Sequence, residues 1–162
     1  MLIGRRLRTL WSIVAMTRVR KSVLVPYSAD RMFELVDRID AYPEFLPWCA
    51  GATVTGETDG ERRVRIDINY HGVRAHFTTA NRSQRPEEIV MELRDGPFRH
   101  LAGIWRFRAL SEAACKVELE LDYEFATHVL ERLIGPAFSH VARSFVDAFV
   151  RRAESVYGTT PI

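Results

Sequence analysis

The sequence predicts an α+β fold in which one curved antiparallel sheet carries a long C-terminal helix across its dry face. Three observations support this. The apolar period is helical after residue 29, switches to two between Ala52 and Phe125, and is helical again from His128 to Tyr157. Turn signals separate the strands at hairpin spacing, the connectivity of antiparallel neighbours. No repeat, low-complexity run or linker divides Met16–Gly158, so residues 17–158 are expected to form a single domain, with 159–162 as a tail.

Arg18–Pro26 reads as the first strand, with Val19, Lys21, Val23 and Val25 alternating against Arg20, Ser22 and Leu24. Ser28 is placed to cap a helix whose first turn holds Asp30, where a carboxylate suits the helix dipole. Met32, Leu35, Val36 and Ile39 then form one apolar stripe. Pro43 and Pro47 bracket Glu44-Phe45-Leu46, which leaves room there for a single extra turn.

Strand signals follow from Ala52 to Thr58, ending at the hairpin dipeptide Asp59-Gly60. Val64, Ile66, Ile68 and Tyr70 alternate against Arg63, Arg65, Asp67 and Asn69. Beyond Gly72, Val73, Ala75, Phe77 and Thr79 alternate against Arg74, His76 and Thr78. The turn at Arg85-Pro86-Glu87 leads to Ile89, Met91 and Leu93, and Asp95-Gly96-Pro97 leads to Leu101, Gly103, Trp105 and Phe107. In the last strand Val117, Leu119, Leu121, Tyr123 and Phe125 oppose Lys116, Glu118, Glu120, Asp122 and Glu124. One wet and one dry face result, with arginines of neighbouring strands expected to pair with the acids of the last one. In the final helix Ile134, Phe138, Val141, Phe145, Phe149, Ala153 and Val156 form a stripe. Gly135-Pro136 either kinks that helix or starts its main part, and Gly158 caps it.

The composition is that of an ordinary globular chain: 162 residues, 47% hydrophobic and 27% charged. A chain of this length buries about 70% of its unfolded surface and needs no covalent staple. Cys49 and Cys115 form no CxxC pair, which argues against a disulfide framework or thiolate metal site and fits a reducing compartment, hence the cytoplasm. Arg5, Arg6 and Arg8 fall in a leader, residues 1–16, with no acid, so Met16–Ile162 holds 20 basic against 21 acidic groups. The domain therefore has no overall cationic excess to recruit nucleic acid. The leader's apolar stretch Leu10–Met16 is too short to span a bilayer. It reads as an over-long start ahead of Met16, with a targeting segment or a membrane-surface tail as the alternatives.

No catalytic or metal constellation stands out. His71, His76, His100, His128 and His140 lie in no HExxH-like spacing, no GxSxG occurs, and the glycines make no phosphate loop. The acids fall on the wet face, so no paired-carboxylate chemistry is assigned and no enzyme activity is expected. The dry face is more telling. Tyr70, Phe77, Met91, Trp105, Phe107, Tyr123 and Phe125 face Phe138, Val141, Phe145 and Phe149, interleaved with the small Ala75, Gly103 and Thr79. Such a face is either a packed core or an apolar cavity of the kind that holds ligands.

Val25-Pro26-Tyr27-Ser28-Ala29 and Tyr42-Pro43-Glu44-Phe45-Leu46-Pro47-Trp48-Cys49 resemble the coenzyme Q-binding branch of the START-like, helix-grip superfamily, which also holds the ribosome-association toxins. Gly96-Pro97-Phe98, Leu101-x-Gly103-x-Trp105-x-Phe107, Val117-x-Leu119-x-Leu121-x-Tyr123-Glu124-Phe125 and Asp147-Ala148-Phe149 with Arg151-Arg152-Ala153 extend the match over 16–158.

The resemblance implies a START-like helix-grip fold with a hydrophobic tunnel. It also implies non-catalytic binding of ubiquinone or another polyprenyl lipid, serving respiration as carrier or chaperone and requiring no cofactor. The expected ligand-binding residues are Phe45, Leu46, Trp48, Tyr70, Phe77, Met91, Trp105, Phe107, Tyr123, Phe138, Val141 and Phe145. Phe45, Leu46 and Trp48 are the candidates for the tunnel mouth and for peripheral contact with the inner membrane, their alternative being a cap over the core. The resemblance also implies a rival role: binding the large ribosomal subunit and blocking subunit association. That role would need a local arginine patch such as Arg63, Arg65, Arg74, Arg106 and Arg108. A cyclase acting on aromatic polyketides is the third reading.

Overall fold

The computed structural model describes residues 16–159; residues 1–15, which hold nearly all of the leader, and 160–162 lie outside it. Strand β1 (Thr17–Val25) is followed by helix α1 (Ala29–Asp37) and a 3₁₀ helix (Ile39–Glu44). Strands β2 (Cys49–Thr58), β3 (Glu61–Tyr70), β4 (Val73–Gln84), β5 (Glu88–Asp95), β6 (Phe98–Ser111) and β7 (Ala114–Phe125) form the meander, and α2 (His128–Tyr157) ends it. All seven strands belong to one antiparallel sheet in the order β1-β7-β6-β5-β4-β3-β2. β1 and β2 are thus the two edges, and α1 with the 3₁₀ helix carries the chain from one to the other.

Local chemistry explains the joints. The Ser28 hydroxyl accepts from the Arg31 N–H at 3.1 Å, and the Thr127 hydroxyl accepts from the Leu130 N–H at 3.1 Å, so both helices begin with a side-chain cap. Asp59-Gly60 and His71-Gly72 turn β2 into β3 and β3 into β4 with positive φ at both residues (54° and 75°, 49° and 80°). That is the backbone a two-residue hairpin needs to match the strands' twist. β7 alternates buried and half-buried residues along its whole length, because one face meets the helices and the other meets solvent.

The core lies between the sheet and the helices. Met32, Phe33 and Val36 of α1 and Ala142, Val146, Phe149 and Ala153 of α2 are almost fully buried against β6 and β7. The outer face carries the expected cross-strand ion pairs: Arg18–Asp122, Arg99–Glu124, Arg106–Glu120 and Arg108–Glu118, at 3.5–3.6 Å.

Four details refine or correct the sequence reading. The extra turn ends at Glu44, ahead of Phe45-Leu46, with Pro43 inside it, because Ile39 and Tyr42 bury themselves there and the Tyr42 hydroxyl donates to the Val36 carbonyl. β2 begins at Cys49, whose register partner is Ile68. Of the two expected places for Pro136, the one inside α2 holds and the one at its start does not, so the Arg132 carbonyl receives no N–H from it. Val156 leaves the apolar stripe and is 49% exposed, while Tyr157 takes the last contact: its ring lies 5.9 Å from Tyr27 and its hydroxyl donates to the Arg31 carbonyl.

Candidate functional site

The inward residues of β3–β7 and the underside of α2 do not close completely. They leave an apolar cavity of about 50 Å³, lined by Trp48, Ile66, Phe77, Thr79, Met91, Leu101, Leu119, Leu121, Phe138, Val141, Ala142 and Phe145. The register brings two of these wall residues together over a glycine. Met91 of β5 faces Gly103 of β6, which in turn faces Leu121 of β7, so a position without a side chain sits between two long ones. A Cβ on Gly103 would lie 2.6 Å from Met91 Cε and 3.1 Å from Leu121 Cδ1.

Of the expected ligand-binding residues, Trp48, Phe77, Met91, Phe138, Val141 and Phe145 meet around this cavity. The others do not reach it. Trp105 and Phe107 stack at 6.1 Å and pack on Phe149 and Phe33, deep in the core under the helices. Tyr123 packs its ring 4.7 Å from Phe138, and burial raises its pKa against hydrogen bonds from the Thr17 and Ser139 side chains. Tyr70 stacks face to face on His140 at 4.5 Å, joining the end of β3 to α2.

The proposed mouth needs correction. Leu46 is 1% and Trp48 3% exposed, so neither offers a face to a membrane, and Phe45 is covered by the Arg152 guanidinium 5.0 Å above its ring. The proline-bracketed segment caps the core, and only Trp48 continues to the cavity.

Of the aliphatic wall, Ile66, Leu101, Leu119 and Leu121 belong to the alternating strand patterns, whereas Ala142 lies outside the apolar stripe of the final helix, next to Val141. Thr79, read only as a small residue, is the one wall residue besides Trp48 with a polar side-chain atom. Its hydroxyl donates to Asn81 Oδ1 at 2.7 Å, and both residues are buried.

The wall contains no carboxylate, imidazole, amine or thiol. Among the described residues no group of three or more His, Cys, Asp or Glu is placed to hold a metal ion. Cys49 and Cys115 are buried free thiols, pushed up to about 11 by burial, and they remain protonated at neutral pH. The cavity as it stands offers only apolar surface: the Thr79 hydroxyl is turned to Asn81, and no polar atom opens into the space.

The arginines that could form a basic patch do not cluster bare. Arg65, Arg106 and Arg108 pair with Asp67, Glu120 and Glu118, leaving Arg63 and Arg74 without an ion pair among the described residues. No helix of the described residues is long and apolar enough to cross a membrane.

Comparison with known proteins places this geometry. The ribosome association toxin RatA of Vibrio cholerae is 43% identical over 143 residues, 88% of this chain and 99% of that protein. The mitochondrial coenzyme Q-binding protein COQ10 homolog B of Xenopus laevis is 25% identical over 142 residues, 85% of this chain and 58% of that protein. A START superfamily protein from Mycobacterium smegmatis superposes with a TM-score of 0.70 at 22% identity, over 86% of this chain and 98% of that one. The Zhui aromatase/cyclase of Streptomyces sp. R1128 superposes at 0.72 and 19% identity, over 90% and 100%, and at that identity the likeness is one of fold. The family described as polyketide cyclase / dehydrase and lipid transport matches residues 25–150. With its seven-stranded sheet gripping a C-terminal helix, the chain belongs to that family and has its START-like fold.

Proposed function

We propose that the chain binds ubiquinone or a related polyprenyl lipid between α2 and the concave sheet face, without chemical turnover, and serves respiratory electron transport as a carrier or chaperone. The observation that carries this is an apolar cavity whose wall has no acid, base or thiol. The coenzyme Q-binding name of the Xenopus relative supports it.

Size sets a condition on this reading. Ligand pockets run to roughly 300–1,000 Å³, so a cavity of about 50 Å³ has to open before a quinone ring fits. The parts that can yield are identifiable. Met91 is an unbranched side chain at the wall, Phe145 is only partly buried, and Gly135-Pro136 weakens α2 near its start. Ahead of that weak point Ile134 is the buried residue of α2, while Val129 and Leu133 are 66% and 63% exposed. At about 0.8 kcal/mol per buried CH₂, one isoprene unit can gain up to roughly 4 kcal/mol. Two or three such units offset opening and association costs and support micromolar affinity.

Because Trp48 lines the cavity, quenching of tryptophan fluorescence by a short-chain ubiquinone reads the binding directly. Saturable quenching in the micromolar range is expected, lost in Val141→Arg with circular dichroism retained. Unsaturable, collisional quenching in the wild-type protein would refute the reading.

A second reading has its own support: relatives 39–43% identical over nearly the whole domain are named ribosome association toxins. In that reading the outer face binds the large ribosomal subunit and blocks subunit association, with Arg63 and Arg74 as the arginines free to contribute. Cosedimentation with the large subunit that persists at moderate salt supports it, since purely electrostatic contacts weaken steeply as salt rises.

A further inference from the structure

The inward positions of β4 change character along the strand. Ala75 and Phe77 are apolar, Thr79 and Asn81 are polar and buried, and Ser83 reaches Asp37 of α1, its hydroxyl donating to Oδ1 at 3.5 Å. Arg62, the register partner of Asn81 on β3, donates to the same Asp37 carboxylate at 2.6 Å. A polar seam thus runs from Thr79, which lines the cavity without exposing its hydroxyl to it, towards the C-terminal end of α1, and the surface of the cavity itself is wholly apolar. Two buried polar side chains on a dry face give up hydration that their mutual hydrogen bond only partly restores. Packing alone does not call for them, since Val and Leu fill the same positions.

Resting on the lipid-binding reading, we propose that Thr79 and Asn81 form the head-group anchor of the cavity. The ligand is then an amphipath whose oxygen-bearing head lies at Thr79 and whose hydrocarbon runs along Phe77, Phe138 and Phe145.

The pair suits both oxidation states of a quinone head without any titration. In the closed cavity the Thr79 proton is given to Asn81 Oδ1 and no polar atom meets the space; once a ligand opens it and exposes the hydroxyl, Thr79 Oγ1 has a lone pair for a ligand hydroxyl. Rotating the Asn81 amide by half a turn lets its NH₂ donate to Thr79 Oγ1, which frees the threonine proton for a ligand carbonyl. A pure hydrocarbon can use neither arrangement, so the anchor discriminates by head group rather than by tail.

The test compares a ubiquinone carrying two isoprene units with an isoprenoid hydrocarbon of similar length, both titrated by displacement of an apolar fluorophore. The wild-type protein is expected to prefer the quinone. Thr79→Val should weaken the quinone about five- to tenfold and leave the hydrocarbon unchanged, whereas Thr79→Ser should keep the preference. If Thr79→Val unfolds because it strands Asn81, the double variant Thr79→Val/Asn81→Leu leaves no orphaned group and should show the same loss. Equal wild-type affinity for both probes, an equal loss for both in the valine variant, or a serine variant that behaves like the valine one would overturn the anchor alone. A wild-type protein that binds neither probe overturns the lipid-binding reading and the anchor with it.

Discussion

Val141→Ile is the smallest change that asks whether the cavity is usable space. Val141 is 4% exposed on α2 and forms part of the cavity wall. Isoleucine keeps the β-branch and adds one CH₂. A void of about 50 Å³ is several times the roughly 10–15 Å³ that admits one water, so the added group has room. Burying it gains about 0.8 kcal/mol, equivalent to a rise in Tm of roughly 3 °C for a chain of this size. In a fully packed core the same methylene would cost about 1–3 kcal/mol through strained rotamers. Sign therefore decides between the two states. Urea denaturation with an unchanged m-value is the assay. A stabilised variant that binds quinone several-fold more weakly is expected, because the methylene occupies space the ligand needs. Destabilisation by 1 kcal/mol or more would refute the claim of free volume. Stabilisation with unchanged quinone affinity would show that the ligand sits elsewhere.

Leu119→Ala, at a wall residue 1% exposed, should cost about 2–5 kcal/mol in urea melts. Added apolar ligand should restore more stability to it than to the wild-type protein, since the enlarged void takes the ligand without rearrangement. Gly103→Ala should push Met91 into the void, because only the far end of that flexible side chain stands 2.6 Å from the new Cβ; a quinone titration should show weaker binding, and unaltered binding would speak against this site. Tyr42→Phe should cost about 1–3 kcal/mol by leaving the buried Val36 carbonyl without its donor, read again by urea denaturation. Burial raises both thiols from 9.0 to about 11, so the folded state holds their protons at pH values where the unfolded chain has released them. Their contribution is complete below about pH 8.5 and is lost as pH rises towards 11. Stability should fall across that window, and Cys115→Ala should flatten the fall.

The fold was legible because burial here follows strict periods. β7 alternates without exception, and the Ser28 cap and the turns at Asp59-Gly60 and Gly72 carry their own chemistry. Elsewhere tertiary contacts override local signals. Pro43 and Pro136 both sit inside helices, because the buried Tyr42 in one case and the long apolar face of α2 in the other outweigh a lost hydrogen bond.

The site was legible only in part. Alternation says which residues point inward but not which meet, since that depends on the register between strands. Trp105 and Phe107 share their strand's inward face with Leu101, yet only Leu101 reaches the cavity, while Trp105 packs on α2 and Phe107 on α1. Thr79 could have been noticed as a hydroxyl on an otherwise apolar face, but its partner Asn81 lies beyond the stretch where the alternation was followed.

The most direct test of the central claim is organic extraction of the purified, folded protein followed by mass spectrometry of the extract. The account predicts a stoichiometric quinone or other polyprenyl lipid, absent from Val141→Arg protein that retains its circular dichroism. An extract free of lipid, from protein that also rejects added quinone, would contradict it and return the concave face to the role of a packed core.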